Sequence, residues 1–64
     1  MNIHEVKRLL KEIKQNLHDE QAHELEDQLF VKVLTHIARG GSNGSALAKR
    51  ALRSRQIQFF RWYA

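Results

Sequence analysis

The chain is predicted to be all-α, and three features of its sequence point there. It has no proline, and its three glycines, Gly40, Gly41 and Gly44, stand close together, so the rest of the chain is free to be helical. Apolar residues recur at three- and four-residue steps on both sides of that glycine cluster. With 64 residues and no cysteine, neither a disulfide nor a cysteine zinc site can hold a small fold, which leaves helix packing or oligomerisation. The expected architecture is a helical hairpin plus a third C-terminal helix. It forms one three-helix domain over residues 1–64, with helices at about 2–17, 19–38 and 45–62 and a loop at 39–44.

The first segment has an orderly stripe in which Ile3, Val6, Leu10, Ile13 and Leu17 share a face and Leu9 lies beside them. Asn2 followed by Glu5 resembles a capping box, with Asn in place of the usual Ser or Thr. After Leu17 the phase breaks. Ala22, Leu25, Leu29, Val33 and Ile37 make a new stripe rotated away from the first. NLHDEQ is therefore expected to be a turn, with Asn16 or Asp19 capping the second helix; a single bent helix is the alternative.

The second segment begins acidic and ends in LFVKVLTHIA, whose apolar residues cover more than half of the helical circumference, as a central helix packed on two sides requires. FVKVLTHI also alternates like a strand, but no partner strand exists elsewhere, so it reads as helix. ARGGSNGS is the one clear loop. Its glycines provide a left-handed stop, and Ser45 is the expected cap of the third helix. On that helix Ala48, Ala51, Leu52, Phe59, Trp62 and Tyr63 fall on one broad face, with Arg55 intruding. Arg50, Ser54 and Arg61 lie opposite, Lys49 and Arg53 flank them, and Ile57 and Phe60 sit between.

One helix pair cannot easily cover both LFVKVLTHIA and the C-terminal aromatics. A homodimer is therefore expected, with the third helix packed across a twofold axis. Leu29, Val33, Ile37, Leu52, Phe59, Trp62 and Tyr63 are the expected core or dimer interface.

Charge is distributed in blocks. Lys7, Arg8, Lys11 and Lys14 against Glu5 and Glu12 leave the first 17 residues at +2. Lys32 against Asp19, Glu20, Glu24, Glu26 and Asp27 leaves residues 18–38 at −4. Residues 39–64 carry Arg39, Lys49, Arg50, Arg53, Arg55 and Arg61 with no acid, +6. Arginines interleaved with aromatics suit nucleic acid, where phosphates are neutralised and bases stacked, or a membrane surface. The structural alternative puts the aromatics in the core and leaves the arginines on a solvated face, pairing with Glu24, Glu26 and Asp27. So short a chain has few other large residues to build a core, and the aromatics are expected there.

Other constellations are weak. A helix-turn-helix needs a turn of three or four residues, and GGSNG is longer, with three glycines that fix the interhelical angle poorly. His4, His18, His23 and His36 lack the i, i+4 spacing of a helical metal site, although Asp19, His23 and Asp27 stand one turn apart. Thr35, Ser42, Ser45 and Ser54 show no nucleophile signature, and Glu24, Glu26 and Asp27 read as a solvated face, so no enzyme, cofactor or metal is expected. No segment is apolar enough to span a bilayer and the N-terminus lacks an apolar signal core, so a cytoplasmic location is expected.

These features suggest a small non-catalytic regulatory protein that binds a partner protein through its basic, aromatic C-terminal helix. Lys49, Arg50, Arg53, Arg61 and Phe60 are the expected contacts. Nucleic-acid binding by the same residues is the rival. In length, lack of cysteine and lopsided charge the chain resembles small accessory proteins of phages and other mobile elements, a likeness of texture that names no family.

Overall fold

The computed structural model describes residues 1–17 and 20–58. It contains α1 (Ile3–Gln15), α2 (Gln21–Ala38) and α3 (Gly44–Ala51), followed by a 3-10 segment, Leu52–Gln56. No strand occurs among the described residues. Each α-helix packs against both others.

Asn2 opens α1 in an extended conformation, and its Oδ1 accepts the Glu5 backbone N–H at 3.0 Å, as the capping signal predicts. At the other end Asn16 has a different role from the expected one. Its backbone N–H reaches the Ile13 carbonyl (3.1 Å) and its Nδ2 donates to the Glu12 carbonyl (2.8 Å), so it closes α1 instead of opening α2. Glu20 precedes α2 with no side-chain capping bond, and Asp19 lies outside the described residues.

α2 ends in the left-handed stop that the glycines predict. Gly40 has φ +76°, its N–H bonds the Ile37 carbonyl at 2.9 Å, and the Gly41 N–H bonds the His36 carbonyl at 2.9 Å. That is the Schellman pattern, with Gly40 in the position an L side chain rarely adopts. The residue before α3 is Asn43, also left-handed (φ 60°), and not Ser45. A Cβ on Gly44 would stand 2.8 Å from Ile37 Cγ1, so the first turn of α3 is pressed against the last turn of α2.

The core comprises Val6, Leu9, Leu10 and Ile13 of α1, Ala22, Leu29 and Val33 of α2, and Leu47 and Ala51 of α3. Ile3, Leu25, Phe30, Ala48 and Ile57 pack partly buried around it. Of the residues expected in the core or a dimer interface, Leu29 and Val33 are buried in the single chain, while Ile37 is 42% exposed and Leu52 59%. On α2 the buried line is Ala22, Glu26, Leu29 and Val33; Ile37 follows one turn on, in the last turn of the helix, where it meets the Gly44 turn of α3. On α3 the expected face was drawn as if one helix ran to about residue 62. The α-helix instead stops at Ala51, continues as 3-10 and is extended by Ile57 (φ −80°, ψ 125°). The inward line is Leu47, Ala51 and Ser54, at i, i+4 and i+7, and Leu52 lies about 100° round the helix from Ala51. Phe59, Trp62 and Tyr63 lie outside the described residues.

Glu26 is the second correction. Expected on a solvated acidic face, it is 2% exposed, and its Oε2 accepts a hydrogen bond from Ser54 Oγ at 2.7 Å; Ser54 is itself fully buried. Arg55 Nη1 stands 3.8 Å from Glu26 Oε1. Because i and i+3 eclipse in a 3-10 helix, Ser54 sits under Ala51 and is carried to the Glu26 carboxylate.

Candidate anion-binding cleft

Three of the described cations are paired: Arg8 with Glu12 (2.8 Å), Lys32 with Glu5 (3.3 Å) and Arg55 with Glu26 (3.8 Å). Lys7, Lys11, Lys14, Arg50 and Arg53 take part in none of these pairs. They stand together.

Lys7, Lys11 and Lys14 follow one another at i, i+4 and i+7, so they form a line along the flank of α1 beside Leu10. Arg50 in the last turn of α3 and Arg53 in the 3-10 segment face them across a cavity of about 540 Å³, completed by Leu10, Gln56 and Ile57. Among the described residues the lining holds no acid. Lys14 and Arg50 have a structural reason for their places, since cations are favoured in the last turn of a helix. Lys7 and Lys11 have none of that kind. Arg50 Nε is shielded from solvent without an acceptor, a buried donor left unpaired. The cleft can hold a negatively charged group by charge and by guanidinium donors.

A second surface is apolar. Val31, Leu34, Ile37 and Leu52 are 42–64% exposed, and a groove of about 290 Å³ between α2 and α3 is lined by Phe30, Val33, Leu34, Ala48, Ala51 and Leu52. The breadth of LFVKVLTHIA is real, but among the described residues Val31, Leu34 and Ile37 on its second side are left exposed.

Of the contact residues expected from the sequence, the structure brings Arg50 and Arg53 into the cleft. Lys49 is exposed outside its lining, and Phe60 and Arg61 lie outside the described residues. The three lysines of α1 were missed as site residues. Their signal was present, as three cations at helical spacing on one flank. His23 Nε2 stands 3.5 Å from Asp27 Oδ2, one turn away on the same helix. No α-helix among the described residues is long and apolar enough to cross a membrane. No protein-family model, curated protein or solved structure matches the chain, so its site is read from its own chemistry.

Proposed function

We propose that the chain is a small non-catalytic interaction module that acts by occupying an anionic partner, with the α1–α3 cleft as its contact face. The observation that carries this reading is the gathering of five cations, from two separate stretches of sequence, around one cavity with no acid among the described residues of its lining. Like charges so placed repel one another, and a partner's anions relieve that cost. The disposition of the hydroxyls fits a non-catalytic role. Thr35, Ser42 and Ser45 are exposed, and Ser54 is buried against Glu26 on the core side of its helix. The sequence placed the contact face on one long basic helix; the geometry favours two walls.

The test is retention on an immobilised polyanion such as heparin. Lys11→Glu with Arg53→Glu should elute at markedly lower salt than the parent while its helical circular dichroism is unchanged, since both residues are exposed. Equal elution would remove the cleft as the functional face.

A second reading, homodimerisation, is supported by the apolar groove and by the exposure of Val31, Leu34, Ile37 and Leu52. In it the groove is covered by a second copy, and the basic clefts stay outside on the α1 sides. Sedimentation equilibrium showing only monomer at micromolar concentration would remove it.

A further inference from the structure

We infer that the anion held in the cleft is the phosphodiester backbone of a nucleic acid, gripped without reading its bases. This rests on the cleft being the contact face, as proposed above, and names what it contacts.

Three observations lead there. The first is spacing. At 1.5 Å of rise per residue, Lys7, Lys11 and Lys14 place charges about 6 and 4.5 Å apart over roughly 10 Å of helix axis. Arg50 and Arg53 supply the facing wall. A trough with cations along both sides suits a continuous line of singly charged groups. A nucleic-acid strand is such a line, one charge every 3.4 Å along a duplex axis. Carboxylates on a folded protein are interrupted by cations and come in no such register.

The second is composition. Protein interfaces are depleted in lysine and anchored by buried aromatics. The described lining is three lysines and two arginines with Leu10 and Ile57 at its apolar floor, and no aromatic residue. Lysine and arginine are the side chains that hold phosphates.

The third is the absence of a reading head among the described residues. A recognition helix puts its N-terminal turn into the major groove. Here that turn is pressed against Ile37 at Gly44, and α3 is eight residues long. Gln56 is the one amide side chain in the lining. Binding is therefore set by charge and not by sequence.

The experiment is fluorescence anisotropy with the full chain and labelled 20-nucleotide single strands and 20-base-pair duplexes, each in two unrelated sequences, with poly-glutamate and anionic phospholipid vesicles as competitors. Expected are affinities within about threefold between sequences, as backbone contacts carry no sequence information. The slope of log K against log salt should approach about −4.5 on duplex or −3.5 on single strand, at five phosphates neutralised; the form bound more tightly at equal salt identifies the source of the backbone. Lys11→Glu with Arg53→Glu should cut affinity more than tenfold, and the milder Lys7→Gln with Arg53→Gln severalfold, at an unchanged melt.

Competition by poly-glutamate or vesicles as strong as by unlabelled oligonucleotide would overturn the nucleic-acid assignment while leaving the cleft as an anion site. A salt slope near zero, or binding that survives both pairs of substitutions, would overturn the assignment and the cleft together. Failure to bind any of the polyanions would do the same.

Discussion

Replacing Ser54 by alanine removes one hydroxyl from a position with no solvent exposure, where it donates to the Glu26 carboxylate at 2.7 Å. Alanine fits the space and suits the helical backbone, so little changes apart from the bond. A hydrogen bond to a charged group contributes about 1.5–3 kcal/mol, the range to expect here given the burial of both partners. A chain of 64 residues has about 3–10 kcal/mol of stability in all. At roughly 4–8 °C per kcal/mol for a domain of this size, Ser54→Ala should melt about 6–24 °C below the parent by circular dichroism. Glu26→Gln separates the charge from the bond. Its amide oxygen still accepts from Ser54, while the contact with the half-exposed Arg55 at 3.8 Å is lost, and that contact contributes about 1 kcal/mol or less. In the Glu26→Gln background, Ser54→Ala should therefore cost only about 0.5–1.5 kcal/mol, the range for a neutral bond. A melt of Ser54→Ala within about 2 °C of the parent, or an equal loss in both backgrounds, would refute the charge-assisted buried bond.

Other sites give sharper contrasts. Leu29 is fully buried at the centre of the core, so Leu29→Ala should cost about 2–5 kcal/mol and leave a broad or absent thermal transition. Gly40→Ala meets no atom within 4 Å yet forces an L side chain to φ +76°, so it should lose about 1–2 kcal/mol from backbone strain alone; Gly40→Asn, which tolerates that conformation better, should lose less. Leu34→Ser with Leu52→Ser, both exposed in the single chain, should leave its helicity intact and abolish self-association by sedimentation; unchanged association would take the groove out of the interface.

How far the sequence could be read depended on whether one helical period ran through each segment. α1 satisfies this: its stripe, its Asn2 cap and the buried Val6, Leu9, Leu10 and Ile13 agree with the expected pattern. The glycine stop after α2 was equally readable, because φ +76° is a property of the residue type. α2 was read correctly as a helix and largely in phase, since Ala22, Leu29 and Val33 are buried, but Leu25 was taken for the stripe where Glu26 is the more deeply buried. Hydrophobicity alone ranks Leu above Glu; geometry places Glu26 between Ala22 and Leu29, and Ser54 supplies the partner that makes its burial tolerable. Ser54 itself was assigned to the outer face because the third helix was phased on Leu52, Phe59, Trp62 and Tyr63, which left out Leu47 and its i+4 and i+7 companions Ala51 and Ser54. The cleft was half legible. Arg50 and Arg53 stood out in a block without acids, whereas the lysines of α1 were diluted by Glu5 and Glu12, which the fold directs to the opposite flank.

The 3-10 segment is also the part of the described chain with least to hold it in place. Five residues long, with the poorer hydrogen-bond geometry of its class, it buries Ser54 alone among them. Segments of that kind open on their own, without the rest of the molecule unfolding, and amide exchange reports it. Arg53 rides on this segment, so its opening would take Arg53 out of the cleft and leave Arg50 of α3 alone on that wall. A ligand that bridges Lys11 and Arg53 binds only the closed form, and must by linkage slow exchange at Leu52–Gln56 in proportion to its affinity. The same reciprocity would make the Ser54–Glu26 bond, buried behind Arg53 and outside the cleft lining, a setting on how much of the population is ready to bind.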